Sequence, residues 1–235
     1  MMVFEGVTFG YEPGRPVVRE SSLALGPGLT LLVGPNGCGK STLLKLAAGV
    51  ERPDRGRILV DRFDLWEREV EARRRLAYLP EFPDITPYAT LDDVLRLVCR
   101  LRGEPRRAGA QALDRFGLAA ESGRSVRELS SGQRKRALFA AAFVGRPDHV
   151  LLDEPLDSLD RQIADDVLRW IGERTAAGAT MVVVSHSLEP LAGLATGAVT
   201  VHDGSAELHA DIPADAASRL RFLDALARGR TGGAA

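Results

Sequence analysis

Short apolar runs separated by turn residues dominate the first 60 residues of the chain. Runs of this length, broken by glycine and proline, predict β-strands. Four of them lie at residues 3–9, 17–25, 29–33 and 57–60. Between the third and the fourth run, residues 41–48 have a helical pattern that ends at Gly49. The beginning of the chain is therefore predicted to be strand-rich, with one short helix.

The spacing of apolar residues becomes helical between about residues 84 and 145. One helical face carries Leu91, Val94, Leu95, Val98 and Leu101, which predicts that this face packs into a core. Residues 137–144 predict a second buried helix.

Strand and helix patterns alternate around this helical segment. Further strands are predicted at residues 76–79, 150–152, 181–184, 199–202 and 206–209. Residues 160–174 have helical character, and the last 20 residues predict a helix with a loose Gly-Gly tail. Strand–helix–strand units of this kind predict an α/β fold whose central sheet is mostly parallel.

Composition narrows the class of protein. Hydrophobic residues make up 45% and charged residues 27% of the 235 residues, which predicts a packed core and argues against disorder. A formal net charge of −1 argues against nucleic acid as a partner. The two cysteines, Cys38 and Cys99, form no Cys-x-x-Cys pair, so neither a zinc site nor a disulfide framework is expected.

The N-terminal residues and the hydropathy suggest where the protein acts. Glu5 interrupts the first apolar residues, and no stretch approaches 18 consecutive apolar residues. We therefore expect neither a signal peptide nor a membrane span. The expected location is the cytoplasm, with attachment to a membrane only through a partner.

A glycine-rich segment between strand 29–33 and the following helix matches the pattern Gly-x-x-x-x-Gly-Lys-Ser/Thr. Its residues are Gly34, Pro35, Asn36, Gly37, Cys38, Gly39, Lys40, Ser41 and Thr42. Glycines allow backbone N–H groups to turn inward around an anion, and the helix adds the positive end of its dipole. Lys40 is expected to reach the β- and γ-phosphates of a nucleotide, and Ser41 is expected to bind Mg²⁺.

Two carboxylates, Asp153 and Glu154, end an apolar run that starts at His149. An aspartate at the end of a buried strand can hold Mg²⁺ beside a glycine loop of this type. Because side chains alternate along a strand, Glu154 is expected to point away from Asp153. Glu154 can then orient or deprotonate an attacking water. The alternative is a solvated strand end, which the upstream glycine loop argues against.

Two further segments complete an ordered set of motifs. Residues 129–133 read Leu-Ser-Ser-Gly-Gln just before a predicted helix, and His186 follows the strand at 181–184. Together with the glycine loop and the two carboxylates, these motifs resemble the nucleotide-binding domain of ATP-binding cassette (ABC) proteins. The resemblance extends from about Val3 to Gly204 and follows the family's order of motifs.

The resemblance implies individual roles. Tyr11 resembles the aromatic residue that stacks on adenine, and Glu81 stands where the family has the glutamine of the Q-loop. The implied catalytic residues are Glu154, His186 and Lys40. The implied metal ligands are Ser41, Asp153 and Glu81. The residues implied to contact the ATP of a partner subunit are Ser130, Gly132 and Gln133.

The resemblance also implies an architecture and an assembly. It implies a P-loop NTPase with a central mostly parallel sheet, an N-terminal antiparallel β subdomain and a helical lobe. The lobe is inserted between Walker A, which is the glycine loop at 34–42, and Walker B, which contains Asp153. Within a single domain at 1–235, we expect the core at 1–80 and 146–210, the lobe at 82–145 and a C-terminal helix and tail at 211–235. Two ATP molecules with Mg²⁺ would lie in a head-to-tail dimer of identical or paired cassettes.

Three positions depart from the family pattern. Glu81 replaces the usual glutamine, Ser131 replaces the first glycine of the signature, and Asp157 is unusual in the D-loop. A carboxylate can still bind Mg²⁺, so activity is expected to persist. The basic run at 134–136 is interpreted as a solvated face of the signature helix rather than a nucleic-acid patch.

The sequence suggests a transporter subunit but leaves alternatives. Leu79-Pro80-Glu81 resembles segments in cassettes of exporters, so an ATPase that powers export through separate membrane permease subunits is expected. An apolar surface near 82–88 would receive the permease, with Phe82 and Tyr88 in contact. The alternatives are a soluble cassette, for example in iron–sulfur assembly or ribosome association, and a nucleotide sensor without hydrolysis.

Overall fold

The computed structural model describes residues 1–81, 87–157 and 159–229. Its strands are β1 Met2–Phe9, β2 Val18–Leu25, β3 Gly28–Val33, β4 Arg55–Val60, β5 Phe63–Asp64, β6 Leu76–Leu79, β7 His149–Asp153, β8 Thr180–Val184, β9 Ala195–His202 and β10 Ser205–His209. Its α-helices are α1 Lys40–Ala47, α2 Glu69–Arg73, α3 Leu91–Arg102, α4 Arg106–Arg115, α5 Ser131–Phe143, α6 Arg161–Ala176, α7 Glu189–Ala192 and α8 Ala216–Ala227. Short 3₁₀ turns at Ala119–Glu121 and Val126–Glu128 precede α5.

The larger sheet has the strand order β10-β9-β3-β8-β7-β6. Its strands are parallel except β10, which is antiparallel to β9. Every residue of β3, β7 and β8 is buried, because both faces of a parallel sheet are covered and its central strands are apolar throughout. The predicted α/β fold with a mostly parallel sheet is confirmed.

The smaller sheet is antiparallel, with the order β2-β1-β4-β5. It packs with α1 on one face of the larger sheet, where Phe4, Leu44 and Val182 belong to one buried cluster. The helices α5, α6 and α8 pack against the opposite face, and α3 and α4 pack against α5. There the ring of Phe139 on α5 lies against the ring of Trp170 on α6, with centroids 6.4 Å apart. The signature helix α5 is therefore packed firmly against the core.

The predicted apolar face of α3 is only partly right. Leu91 and Leu95 are buried, and Val94 and Val98 pack at the edge of the core. Leu101 is 63% exposed, because the buried stripe of α3 runs through Leu91, Leu95 and Cys99 and Leu101 lies off this stripe.

Other differences arise from local features that the sequence analysis overlooked. The helix predicted at 137–144 begins at Ser131 instead, since Ser130 caps it. The two-residue strand β5 and the helices α2 and α4 were not predicted. The predicted Gly-Gly tail and Phe82 lie outside the described residues.

Candidate functional site

The carboxyl ends of β3, β8 and β7 meet at one edge of the larger sheet. Leu32 is paired with Val184, and Val184 is paired with Asp153, so the segments that follow these strands lie side by side. They border a cleft of about 430 Å³. It is lined by Tyr11, Val17, Asn36, Gly37, Gly39, Lys40, Ser41, Thr42, Glu81, Asp153, Glu154, Val184 and His186. The sheet thus gathers residues that are far apart in the sequence.

The glycine loop crosses the floor of this cleft between β3 and α1. Gly34 has φ +149°, and a Cβ atom there would lie 2.4 Å from the carbonyl oxygen of Val201, so no other residue fits. Gly39 caps α1 with φ +108°, and no side chain of the described residues caps this helix. Uncapped N–H groups at a helix N-terminus attract anions, and phosphate binding by this loop stays a prediction.

Lys40 lies across the loop. Its Nζ donates to the carbonyl oxygens of Gly34 at 2.8 Å and Pro35 at 2.9 Å. The ammonium group is therefore held at the mouth of the loop, where it adds a positive charge to the helix N-terminus.

Three loop residues, Gly34, Pro35 and Cys38, do not line the cleft. Pro35 and Cys38 line a neighbouring cavity of about 420 Å³, which shares Asn36 and Gly37 with the cleft. The nucleotide contact predicted for these three residues stays a prediction.

Asp153 and Glu154 both line the cleft, and the prediction that they point apart is wrong. The strand β7 ends at Asp153, and Glu154 has φ +47°, so the alternation of a strand does not continue. This left-handed conformation costs a non-glycine residue about 1–2 kcal/mol. The turn brings the second carboxylate to the same side as the first.

Burial shapes the chemistry of both carboxylates. Asp153 is 4% and Glu154 is 2% exposed. Burial raises the pKa of each carboxyl group above its ordinary value, and their mutual repulsion contributes to the shift in Glu154. The hydroxyl of Ser41 lies 3.4 Å from Asp153 Oδ1 and partly offsets the rise in the pKa of Asp153.

His186 follows β8 and faces Glu154. Its backbone N–H donates to Glu154 Oε2 at 3.0 Å, and its Nε2 lies 3.5 Å from Oε1. Oε1 is buried and accepts no hydrogen bond from the described residues. Since Glu154 lines the cleft, its carboxylate can accept a proton from a water molecule there.

Tyr11 and Glu81 lie at the rim of the cleft. The Tyr11 ring is 55% exposed and stands edge-on to Phe9, with centroids 5.0 Å apart. Its hydroxyl is 3.5 Å from Thr42 Oγ1, which places the ring beside the loop. Glu81 is exposed and also lines the cleft, and its negative charge raises the pKa of Asp153.

The signature residues lie elsewhere. Ser130 and Gln133 form a reciprocal cap of α5, in which Ser130 Oγ accepts from the Gln133 N–H at 3.2 Å and Gln133 Oε1 accepts from the Ser130 N–H at 2.9 Å. The motif thus spans the start of the helix: Leu129 and Ser130 precede it, and residues 131–133 form its first turn. The spacing Ser-x-x-Gln already indicates such a capping box.

Sequence reasoning missed Lys135. This residue is 8% exposed, so it does not belong to a solvated helix face. Its Nζ donates to the backbone oxygen of Glu154 at 2.7 Å. Helical periodicity offers a signal, because Lys135 lies three and four residues before the buried residues Leu138 and Phe139 and so shares their helix face.

Glycine loop, helix N-terminus and paired strand-end carboxylates define the class of P-loop nucleoside triphosphatases. Residues 18–157 match the ABC transporter family, and the chain belongs to this family of ATPases. It is 35% identical over 216 residues to the taurine import ATP-binding protein TauB of Pseudomonas aeruginosa, covering 87% of this chain and 79% of that protein. It is 31% identical to the cell division ATP-binding protein FtsE of Escherichia coli, and the match covers 87% of this chain and 96% of that protein.

The fold agrees with this assignment. A dimeric bacterial ABC transporter cassette superimposes with a TM-score of 0.79 at 21% identity, covering 88% of this chain and 97% of that one. The prediction of export is not confirmed, since TauB is an import protein by name. Among the helices of the described ranges, none has the length and hydropathy to cross a bilayer.

We predict that Asp153→Asn stabilises the protein in the absence of nucleotide. Because burial raises the pKa of Asp153 in the folded state, its ionised form favours unfolding at pH 8. The gain in free energy of unfolding should be about 1 kcal/mol at pH 8 and should vanish as the pH falls to the ordinary pKa of aspartate, about 3.9. Urea unfolding between pH 8 and about pH 4 measures it.

Asp92→Asn is the matched control for this prediction. Arg96 and Arg106 lower the pKa of Asp92, so the carboxylate should favour folding and its loss should destabilise the protein at pH 8. A destabilised Asp153→Asn variant would contradict the prediction.

Proposed function

We propose that the chain hydrolyses ATP as one half of a head-to-tail pair and drives a transporter through separate membrane subunits. The observation that carries this proposal is the division of the site. The cleft gathers the glycine loop, the two carboxylates and His186, whereas none of the described residues that line it comes from the signature at 129–133. A second subunit would supply that signature.

The glycine loop and Lys40 would bind the phosphates of ATP. The uncapped N-terminus of α1 and the Lys40 ammonium group provide positive charge at the floor of the cleft. Tyr11 would stack on the adenine ring, since its exposed ring stands beside the loop. Gly34 allows the close backbone turn that this arrangement needs.

Ser41 and Asp153 fit a magnesium ion. Their oxygen atoms lie 3.4 Å apart, and hard oxygen donors are what Mg²⁺ prefers. No group of three or more His, Cys, Asp and Glu side chains in the described part of the chain is placed to hold a metal, which suits an ion shared with substrate phosphates. When bound, Mg²⁺ neutralises charge on those phosphates. Glu81 would add a carboxylate oxygen from the rim.

Glu154 would act as the general base. Its Oε1 would accept a proton from the water that attacks the γ-phosphorus, and the bond from that phosphorus to the β-γ bridging oxygen would break to give ADP and phosphate. Oε2 is held by the His186 N–H, so the carboxylate is oriented. The raised pKa of Glu154 makes it a stronger proton acceptor. His186 would contact the γ-phosphate with its exposed ring.

The helix N-terminus at Ser130 would contact the γ-phosphate of the partner's ATP. Ser130 is exposed, and Gly132 has no side chain to obstruct a close approach. Gln133 keeps the helix capped at this end. The replacement of the first signature glycine by Ser131 leaves these groups in place. A structural relative described as a dimer supports this arrangement.

A groove between α2 and α3 suits the cytoplasmic segment of a membrane subunit. It has a volume of about 530 Å³ and includes the exposed residues Val70 and Leu101. Arg73, Arg74 and Arg100 also line it, so the segment should combine apolar and acidic side chains. Tyr88, which precedes α3 in the sequence, is 72% exposed. The protein would therefore lie on the cytoplasmic face of the membrane, held there by this partner.

We predict that Glu154→Gln abolishes turnover without abolishing ATP binding. Removing a general base should lower kcat by about 10²–10⁴-fold, and the uncleaved ATP should hold two subunits together. Phosphate release and size-exclusion chromatography with ATP measure both effects. Glu189→Gln, at an exposed glutamate of α7, should behave like the wild type. Unchanged turnover in Glu154→Gln would refute the role of Glu154.

We predict that two inactive variants complement one another. Lys40→Ala should disable the loop and Gly132→Asp the signature. In an equimolar mixture, half of the dimers should contain one copy of each variant. Each of these mixed dimers should have one complete site and one defective site. The mixture should therefore reach about a quarter of the wild-type rate. Steady-state ATPase assays before and after mixing test this. A mixture that stays inactive while Gly132→Asp still binds ATP would argue against shared sites.

We predict that tagged protein from mild-detergent extracts of native membranes carries a polytopic membrane protein with it. Leu101→Ser and Tyr88→Ser should reduce the amount recovered, whereas Val50→Ser, at an exposed apolar residue outside the groove, should not. Quantitative mass spectrometry measures recovery. Recovery of ribosomal or assembly-scaffold proteins alone would contradict the transporter role and leave the ATPase chemistry intact.

A further inference from the structure

Lys135 connects the signature helix to the segment that carries Glu154. It lies on α5, four residues after Ser131, and its Nζ donates to the Glu154 backbone oxygen at 2.7 Å. The contact is buried. Lys135 is one of only three lysines among the chain's 31 basic residues, and the other two, Lys40 and Lys45, lie in and just after the glycine loop. At position 135 the chain therefore has the compact ammonium group of a lysine, although most of its basic residues are arginines.

The segment that Lys135 contacts adopts an unfavourable backbone conformation. Glu154 has φ +47° and precedes Pro155, which further restricts its backbone. Such a conformation persists only where surrounding contacts determine it. The Glu154 N–H donates to the Val184 oxygen at 2.9 Å, and its carboxylate accepts from His186. Among these three contacts, only the one from Lys135 comes from the helical lobe.

We propose that Lys135 is a positioning residue for Glu154: by holding the Glu154 carbonyl it keeps the turn that directs the carboxylate into the cleft. This inference rests on the proposed function of Glu154 as general base. It also means that the helix that would contact the partner's ATP is bonded to the general base of its own subunit.

The charges around Lys135 support this role. Burial lowers the pKa of its ammonium group, but nearby carboxylates counteract the effect and favour the charged form. These carboxylates belong to Asp157, Glu81, Glu154 and Asp153. A charged donor forms a stronger hydrogen bond to a carbonyl than a neutral donor does, so the contact is suited to hold a strained turn.

The test compares kcat, KM and nucleotide affinity of two variants with those of the wild type. Lys135→Met keeps the length of the side chain but removes the donor. It should lower kcat by about 10–100-fold, the usual range for residues that orient an active group, with KM and the Kd for a fluorescent ATP analogue within about twofold. Lys135→Gln keeps a hydrogen-bond donor but loses the charge, so its kcat should lie between that of the wild type and that of Lys135→Met.

Arg102→Met is the matched control. Arg102 is also a mostly buried cation of the lobe, and it donates to the oxygens of Ala141, Ala142 and Val144 at the other end of α5. Its loss should lower Tm while kcat per folded molecule stays unchanged. This pattern is what a purely structural role predicts, and the same pattern in Lys135→Met would overturn the proposal.

The remaining outcomes are also decisive. A kcat in Lys135→Gln as low as in Lys135→Met would overturn the role of the hydrogen bond. If Lys135→Met does not fold, an unchanged kcat in Lys135→Gln overturns the proposal, and a lowered kcat with unchanged Kd supports it. A wild-type protein without ATPase activity would instead refute the proposed function itself, so the two failures are distinguishable.

Discussion

Hydrogen bonding between β3, β8 and β7 brings the ends of three strands to one level, with Leu32 paired to Val184 and Val184 to Asp153. Everything that the site does depends on this pairing. A shift of the register by one residue would reverse every side chain of a strand and would separate Asp153 from the glycine loop. Because all three strands are buried along their whole length, the apolar layers on both faces keep this register.

The sequence-predicted residues that the structure places at the cleft are determined by local patterns. The glycine loop needs only its own glycines and the adjacent strand and helix. The positions of Asp153 at the end of β7 and of His186 just after β8 follow from short apolar runs. The resemblance to ABC proteins added the signature and the rim residues Tyr11 and Glu81, whose positions at the cleft the structure agrees with.

The parts that the sequence analysis missed depend on contacts between distant segments. Strand alternation predicts that Glu154 points away from Asp153, but β7 ends one residue earlier and φ +47° reverses the direction. Lys135 looks like one of three consecutive basic residues, and its basic neighbours obscure the helical spacing that places it on the buried face of α5. The turn at Glu154 has no periodic pattern, because it depends on tertiary packing that overrides local preference.

The region around Glu154 therefore combines several unfavourable features: a buried carboxylate, a left-handed backbone and an oxygen atom that accepts no hydrogen bond from the part of the chain that the structure describes. Features of this kind concentrate at sites where function requires them, and the rest of the fold must offset them. Here the apolar cores on both faces of the larger sheet provide that stability. The contacts to Glu154 come from β8, from His186 after it and from α5. Because these three elements hold the turn together, losing one contact should change the geometry of the carboxylate before it changes the fold.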